Sequence, residues 1–266
     1  MGSFTVTLET YEGTDETVEV PAGITKVGKG ALSNNRYVRE IVIPEGVVEI
    51  GDEAFSACVN AHTIVIPSTV ERIGAGAFKG CWRLEEVVVP ENVRELGERT
   101  FARCRGLKRV DLPERLVSIG DACFQHCGQL ESVVFPAALE RIGANAFYNC
   151  QKLVFHEFPA HLDTIENEAF RNCSALVDIE LPESVGWLGQ RCFKDCTSLM
   201  SVALPNALAF IEEGLFEGCS SLDVVAVPAQ LSHVEARAFV GTGLVPADIS
   251  FPDGCEISEY AFDNPQ

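Results

Sequence analysis

The sequence predicts a solenoid: a right-handed superhelix of eleven 23-residue, β-rich coils with short helical or 3-10 turns. Three columns of residues predict it. Pro21, Pro44, Pro67, Pro90, Pro113, Pro136, Pro159, Pro182, Pro205 and Pro228 lie 23 residues apart. The aromatics Phe55, Phe78, Phe101, Phe124, Phe147, Phe170, Phe193, Phe216, Phe239 and Phe262 keep the same step, with Leu32 one step earlier. Cys58, Cys81, Cys104, Cys127, Cys150, Cys173, Cys196 and Cys219 do so too, preceded by Asn35 and followed by Thr242. Self-similarity at a fixed period is the signature of a repeat architecture.

Within a coil the elements follow in order. Leu84, Val87 and Val89 alternate with Glu86 and Val88, the period of a strand with one buried face. Pro90 ends it, having no N–H for a ladder. Val93 and Leu96 begin a second extended segment, and Gly97 suits a turn of unusual φ. The Thr100-Phe101 pair, Ala-Phe in most coils, then reads as one short helical or 3-10 turn. A single coil cannot cover its own apolar residues, so each needs neighbours above and below. Stacked strands are ~4.8 Å apart, and eleven coils give a rod roughly 50 Å long.

Both ends depart from the repeat. Residues 1–16 are out of phase, and the alternation from Phe4 to Leu8 predicts a capping strand or hairpin. The solenoid occupies 17–266. Its last coil, 240–266, is irregular: Gly243-Leu244-Val245-Pro246 marks an insertion, and Pro252 falls one residue late.

The pattern Leu-x-x-Ile-x-Ile-Pro-x-x-Val-x-x-Ile-Gly-x-x-Ala-Phe-x-x-Cys resembles the BspA-like leucine-rich repeats, also called the Treponema pallidum type. The resemblance runs over about 17–262. It implies a surface or secreted protein that binds host or matrix proteins or other cells, and it brings no shared catalytic residues. A cytoplasmic location is the alternative, because residues 1–6 have neither the basic segment nor the apolar run of a secretory signal.

Charge bounds the partners. A net charge of −19 argues against nucleic acid, which requires clustered Lys and Arg, and favours a basic protein partner or cations. No apolar run reaches the ~18–20 residues of a membrane helix. The chain is expected to be a monomer that inserts in no membrane and needs no cofactor.

Several residues invite chemistry. The eleven cysteines read as reduced packing: eight in the ladder, Cys123 and Cys192 at the Ala position, and Cys255 at a core Val position. A disulfide framework is one alternative, and a zinc site from Cys123, His126 and Cys127 is another. His156 stands where other coils have Ile or Val. It is either a metal or proton site with Glu157 and His161, or a core residue in a twisted strand where Phe155 partly replaces it. Gly28-Lys29-Gly30 lacks the remainder of a phosphate loop. Asn172-Cys173-Ser174 matches a glycosylation sequon whose Cys belongs to the ladder.

The outward positions carry the functional expectation. One runs Val42, Val65, Val88, Asp111, Val134, Glu157, Glu180, Ala203, Ala226, an apolar stripe giving way to an acidic patch that Asp178 reinforces. A second carries Trp187 and Phe210 in adjacent coils, with His233 next. The sequence thus predicts a non-enzymatic interaction scaffold that binds through Val42, Val65, Val88, Asp111, Glu157, Asp178 and Glu180, or through Trp187 and Phe210. The alternative is a structural spacer or stalk within a larger surface protein.

Overall fold

The computed structural model describes residues 6–155 and 157–262. Each coil has three sides: a three-residue strand before the proline, a two-residue strand before the Ile-Gly step, and a run of tight turns through the Phe and Cys positions. All strand pairs are parallel, and within the repeat nearly every partner is 23 residues away. The long-strand side pairs Thr17–Glu19, Glu40–Val42 and Thr63–Val65, then Glu86–Val88 with Arg109–Asp111, then Asp178–Glu180, Ser201–Ala203 and Val224–Ala226. The short-strand side begins with Thr7–Leu8 on Lys26–Val27, a pairing offset by 19 residues, and ends with Glu256–Ile257 on His233–Val234. Phe4 lies outside the described residues.

The turn side differs from the expected helical turn. Ala54 N–H donates to Gly51 O and Cys58 N–H to Phe55 O, while Glu53, Phe55 and Ala57 donate to carbonyls of the next coil. The result is a chain of β-turns locked along the rod axis. Two left-handed residues per coil make this possible. One column includes Gly30, Glu53, Gly76, Arg99, Ala122 and Asn145; the other includes Asn34, Ala57, Gly80, Arg103, His126 and Asn149. A left-handed residue cannot continue a helix, and its cost of about 1–2 kcal/mol is offset by the inter-coil bonds it permits. Among the described residues the one 3-10 helix is Pro246–Asp248, in the insertion of the last coil.

The glycine before these turns has a different purpose from the one expected of Gly97, whose φ is not left-handed. A Cβ at Gly74 would lie 2.5 Å from the Asp52 nitrogen, and one at Gly120 would lie 2.6 Å from the Leu96 oxygen. In these coils the neighbouring backbones approach too closely for a side chain.

The core is one continuous cluster of the inward columns. Consecutive rings from Phe55 to Phe239 stack face to face at 5.3–6.0 Å, and Phe262 lies 4.9 Å from Phe239. All eleven cysteines are unpaired. In the ladder each Sγ donates to the carbonyl 26 residues earlier, as Cys127 does to Phe101 O at 3.2 Å. That carbonyl already accepts Cys104 N–H, so the thiol fills its second lone pair. A small apolar side chain with a weak donor suits this position, which accounts for Cys. Thr242, at the end of the row, instead donates Oγ1 to Phe239 O within its own coil, at 2.8 Å.

The regular register fails once within the long-strand side. Ser132 bridges Arg109 at the normal offset but bridges Val154 one residue early. Phe155 is thereby half-buried and packs on Phe135, Phe158 and Phe170 at 4.7–5.5 Å. His156 lies outside the described residues. Glu157 and His161 are both exposed.

Candidate functional site

The core is filled, and of the two outer strand faces the long-strand one presents the longer strands. Its strands alternate, so residues flanking each buried central residue point outward. Val42 and Val65 are register partners, as are Val88 and Asp111. Val42 is half-buried, whereas Val65 and Val88 are exposed and Val134 is 82% exposed. The apolar stripe is therefore open to solvent.

The acidic patch is less uniform than its sequence. Asp111 is held by Arg109, two residues earlier on the same face: Nε reaches Oδ1 at 2.9 Å and a terminal nitrogen reaches Oδ2 at 3.1 Å. This two-point clamp offsets its charge and orients it. Asp178 and Glu180 project from one strand with Ile179 buried between them, and Glu157 is exposed in the coil before. Ser201 donates to Asp178 at 2.6 Å, leaving its charge intact. Within the acidic patch, Glu157, Asp178 and Glu180 are thus the carboxylates that no cation clamps among the described residues.

The short-strand side carries Trp187 and Phe210, both exposed. Their strands belong to different sheets: Trp187–Leu188 ends one and Phe210–Ile211 begins the next. Phe210 stacks instead on His233, 5.1 Å away and 19° from parallel. Burial and nearby Glu235 raise the pKa of the Glu212 carboxyl beside Trp187. His233 in turn approaches Glu256 at 3.1 Å. The second face is therefore aromatic and acidic together, and the sequence reading missed Glu212, Glu235 and Glu256. Glu212 and Glu235 replace the corner glycine of other coils, and that substitution was the available signal.

Cys123 and Cys127 are buried, with thiols raised chiefly by desolvation, while His126 Nδ1 meets the Asn149 amide at 3.1 Å. Among the described residues no group of three or more His, Cys, Asp and Glu side chains could hold a metal ion. Asn172, of the glycosylation sequon, is half-buried and donates to Asn149. No helix of the described residues is long and apolar enough to cross a membrane.

Comparison with known proteins agrees with this architecture. The model of BspA type leucine rich repeat regions matches residues 25–154 and 140–266, in six copies. A leucine rich cell surface protein from Faecalibacterium prausnitzii is 22% identical, with 98% of this chain and 94% of that one aligned and a TM-score of 0.54. A leucine-rich repeat protein from Eubacterium ventriosum is 18% identical over 98% and 88% of the two chains, with a TM-score of 0.60. The pneumococcal vaccine antigen PcpA is 16% identical over 98% and 92%, with a TM-score of 0.52. These identities show a shared fold. No functionally curated protein matches the chain.

Proposed function

Because the chain belongs to the BspA-type leucine-rich repeat family, we propose that it is a non-enzymatic protein-interaction scaffold at a cell surface, holding a basic partner on its long-strand face. The observation that carries this reading is the open valine stripe of Val65, Val88 and Val134 continuing into the carboxylates Glu157, Asp178 and Glu180. Exposed valines recurring along one face, interrupted at Asp111, give apolar area that suits a partner's apolar anchors. Val42 lends area at one end of the stripe, and Asp111, already clamped by Arg109, gives shape rather than net charge. The carboxylates accelerate encounter with a basic surface and make association salt-dependent. Such faces vary freely in a solenoid because their side chains leave the core untouched. The cell-surface location fits the similarity to the Faecalibacterium prausnitzii leucine rich cell surface protein.

The test uses a partner obtained by cross-linking the intact chain to cells or matrix. Asp178→Lys with Glu180→Lys is expected to weaken binding at least about tenfold, since reversed charges repel a basic partner. Trp187→Ala is expected to leave it unchanged. The opposite pattern would move the site to the Trp187 and Phe210 face. Unchanged affinity in both variants would favour the spacer reading.

A further inference from the structure

The turn side holds a feature that neither outer strand face explains. Four successive turn ends, residues 79–83, 102–106, 125–129 and 148–152, read Lys-Gly-Cys-Trp-Arg, Ala-Arg-Cys-Arg-Gly, Gln-His-Cys-Gly-Gln and Tyr-Asn-Cys-Gln-Lys. They contain five of the chain's 20 Lys and Arg residues and none of its 39 Asp and Glu residues. In a chain of net charge −19 this is a local reversal of sign. Among the described residues, Lys79, Arg83, Arg103, Arg105 and Lys152 form no ion pair. Glu98 and Glu85, on the flanking sides, are taken by Arg99 and Lys108.

The middle of this edge is a depression of about 420 Å³, open to solvent and lined by Arg103, Arg105, His126, Gly128, Gln129 and Asn149. The space at Gly128 is open, since a Cβ there would meet nothing nearer than the Asn149 oxygen at 3.9 Å. The lining groups are committed as donors. The Asn149 amide meets His126 Nδ1 at 3.1 Å, and an amide donor there leaves the imidazole hydrogen on Nε2. The Gln129 oxygen already accepts Lys152 at 2.7 Å. Aromatic surface adjoins the charges: Arg105 lies 5.4 Å over Trp82, which is 49% exposed, and His126 lies against Tyr148 at 5.1 Å.

We propose that this edge binds a linear anionic polysaccharide, with a sulfate or carboxylate of the chain seated between Arg103, Arg105 and His126. Equivalent positions recur every coil, about 4.8 Å apart, so an extended polymer lying along the rod meets a new donor set at each step. Arginine forks match oxyanions at two points, and exposed indole and phenol faces suit sugar rings. A peptide strand finds no purchase, because the backbone is spent between coils: Arg103 N–H donates to Gln125 O, His126 N–H to Tyr148 O and Asn149 N–H to Arg171 O. The site is separate from the long-strand face, so its ligand and a protein partner could be held together.

The experiment measures the intact chain on an immobilised heparin-type sulfated glycan at 150 mM salt. The variant is Arg103→Asn with Arg105→Gln. Both replacements are residues that the chain itself uses two coils away, at Asn149 and Gln151, and Asn tolerates the left-handed φ of position 103. Binding is expected in the wild type and is expected to fall about tenfold or more in the variant, with circular dichroism unchanged. A desulfated, N-acetylated glycan and a single-stranded oligonucleotide of matched charge are each expected to bind at least about tenfold more weakly than the sulfated glycan. Asp178→Lys with Glu180→Lys is expected to retain glycan binding, which separates this site from the protein-binding face. Absence of glycan binding in the wild type, or equal binding by the arginine variant, would overturn the proposal. Equal affinity for the oligonucleotide would overturn the assignment to a glycan.

Discussion

Raising the pH from 8 to 10 under reducing conditions is expected to unfold the whole solenoid. Ten of the eleven thiols are buried. Burial pushes Cys58, Cys104 and Cys219 up to about 12, and Cys81, Cys127, Cys173 and Cys196 well above the ordinary value. An unfolded thiol ionises near pH 8.5. The folded pKa therefore lies above the unfolded one, and the stability these groups carry is complete below about pH 8.5 and falls as pH rises. One unit above that point each buried thiol has lost about 1.4 kcal/mol. Ten together lose on the order of 10 kcal/mol, comparable with the roughly 5–15 kcal/mol that separates folded from unfolded domains. The result depends little on how far above the ordinary range each folded thiol lies. Fluorescence of Trp82 and Trp187 followed with pH should show a cooperative transition between about pH 9 and 10. Replacing Cys104, Cys127 and Cys150 by Ala should reduce the slope of stability against pH by about a third, whatever it does to baseline stability. A fold that persists to pH 11 would show that these thiols are not buried as described.

Phe147→Ala should destabilise the chain by about 3–5 kcal/mol, the usual cost of deleting a buried ring. Phe147 is fully buried, stacked at 5.3 Å on both Phe124 and Phe170, with Phe135 edge-on at 5.8 Å. Its neighbours are held by hydrogen bonds along the rod, so the cavity cannot close by a local shift. Phe147→Leu keeps most of the volume and should cost clearly less. Urea denaturation of both variants checks the order. A loss below about 1 kcal/mol for the alanine variant would contradict the stacked core.

The inward columns were legible because few side chains fit them. Pro90, Phe101 and Cys104 recur in their coils for reasons of shape, and periodicity reports shape directly. The left-handed column before each Phe was not legible, unlike the one after it, where Asn34, Gly80, Asn149, Asn172 and Gly218 recur. Glu53, Arg99, Ala122, Asn145 and Glu168 share a conformation but no chemistry, because hydrogen bonds between coils impose it rather than local preference. The register slip at Ser132 and Val154 also comes from packing, in this case the bulk of Phe135, Phe155 and Phe158 meeting Phe170. The outer faces were legible as positions but not as pairings. Arg109 and Asp111 share a strand face two residues apart, so their clamp was within reach of the pattern. The separation of Trp187 from Phe210 required the break between sheets. The basic edge emerges only when the four turn ends are read together, since each alone holds no more than two cations.

The central claim is that function resides on the long-strand face while the core serves only to present it. Hydrogen exchange of the chain, free and with its cross-linked partner, tests this most directly. Backbone amides around Thr63–Val65, Glu86–Val88 and Asp178–Glu180 are predicted to slow in the complex, with no change around Trp187–Leu188 and Phe210–Ile211. Protection confined to Trp187–Leu188 and Phe210–Ile211, with the long strands unchanged, would contradict it.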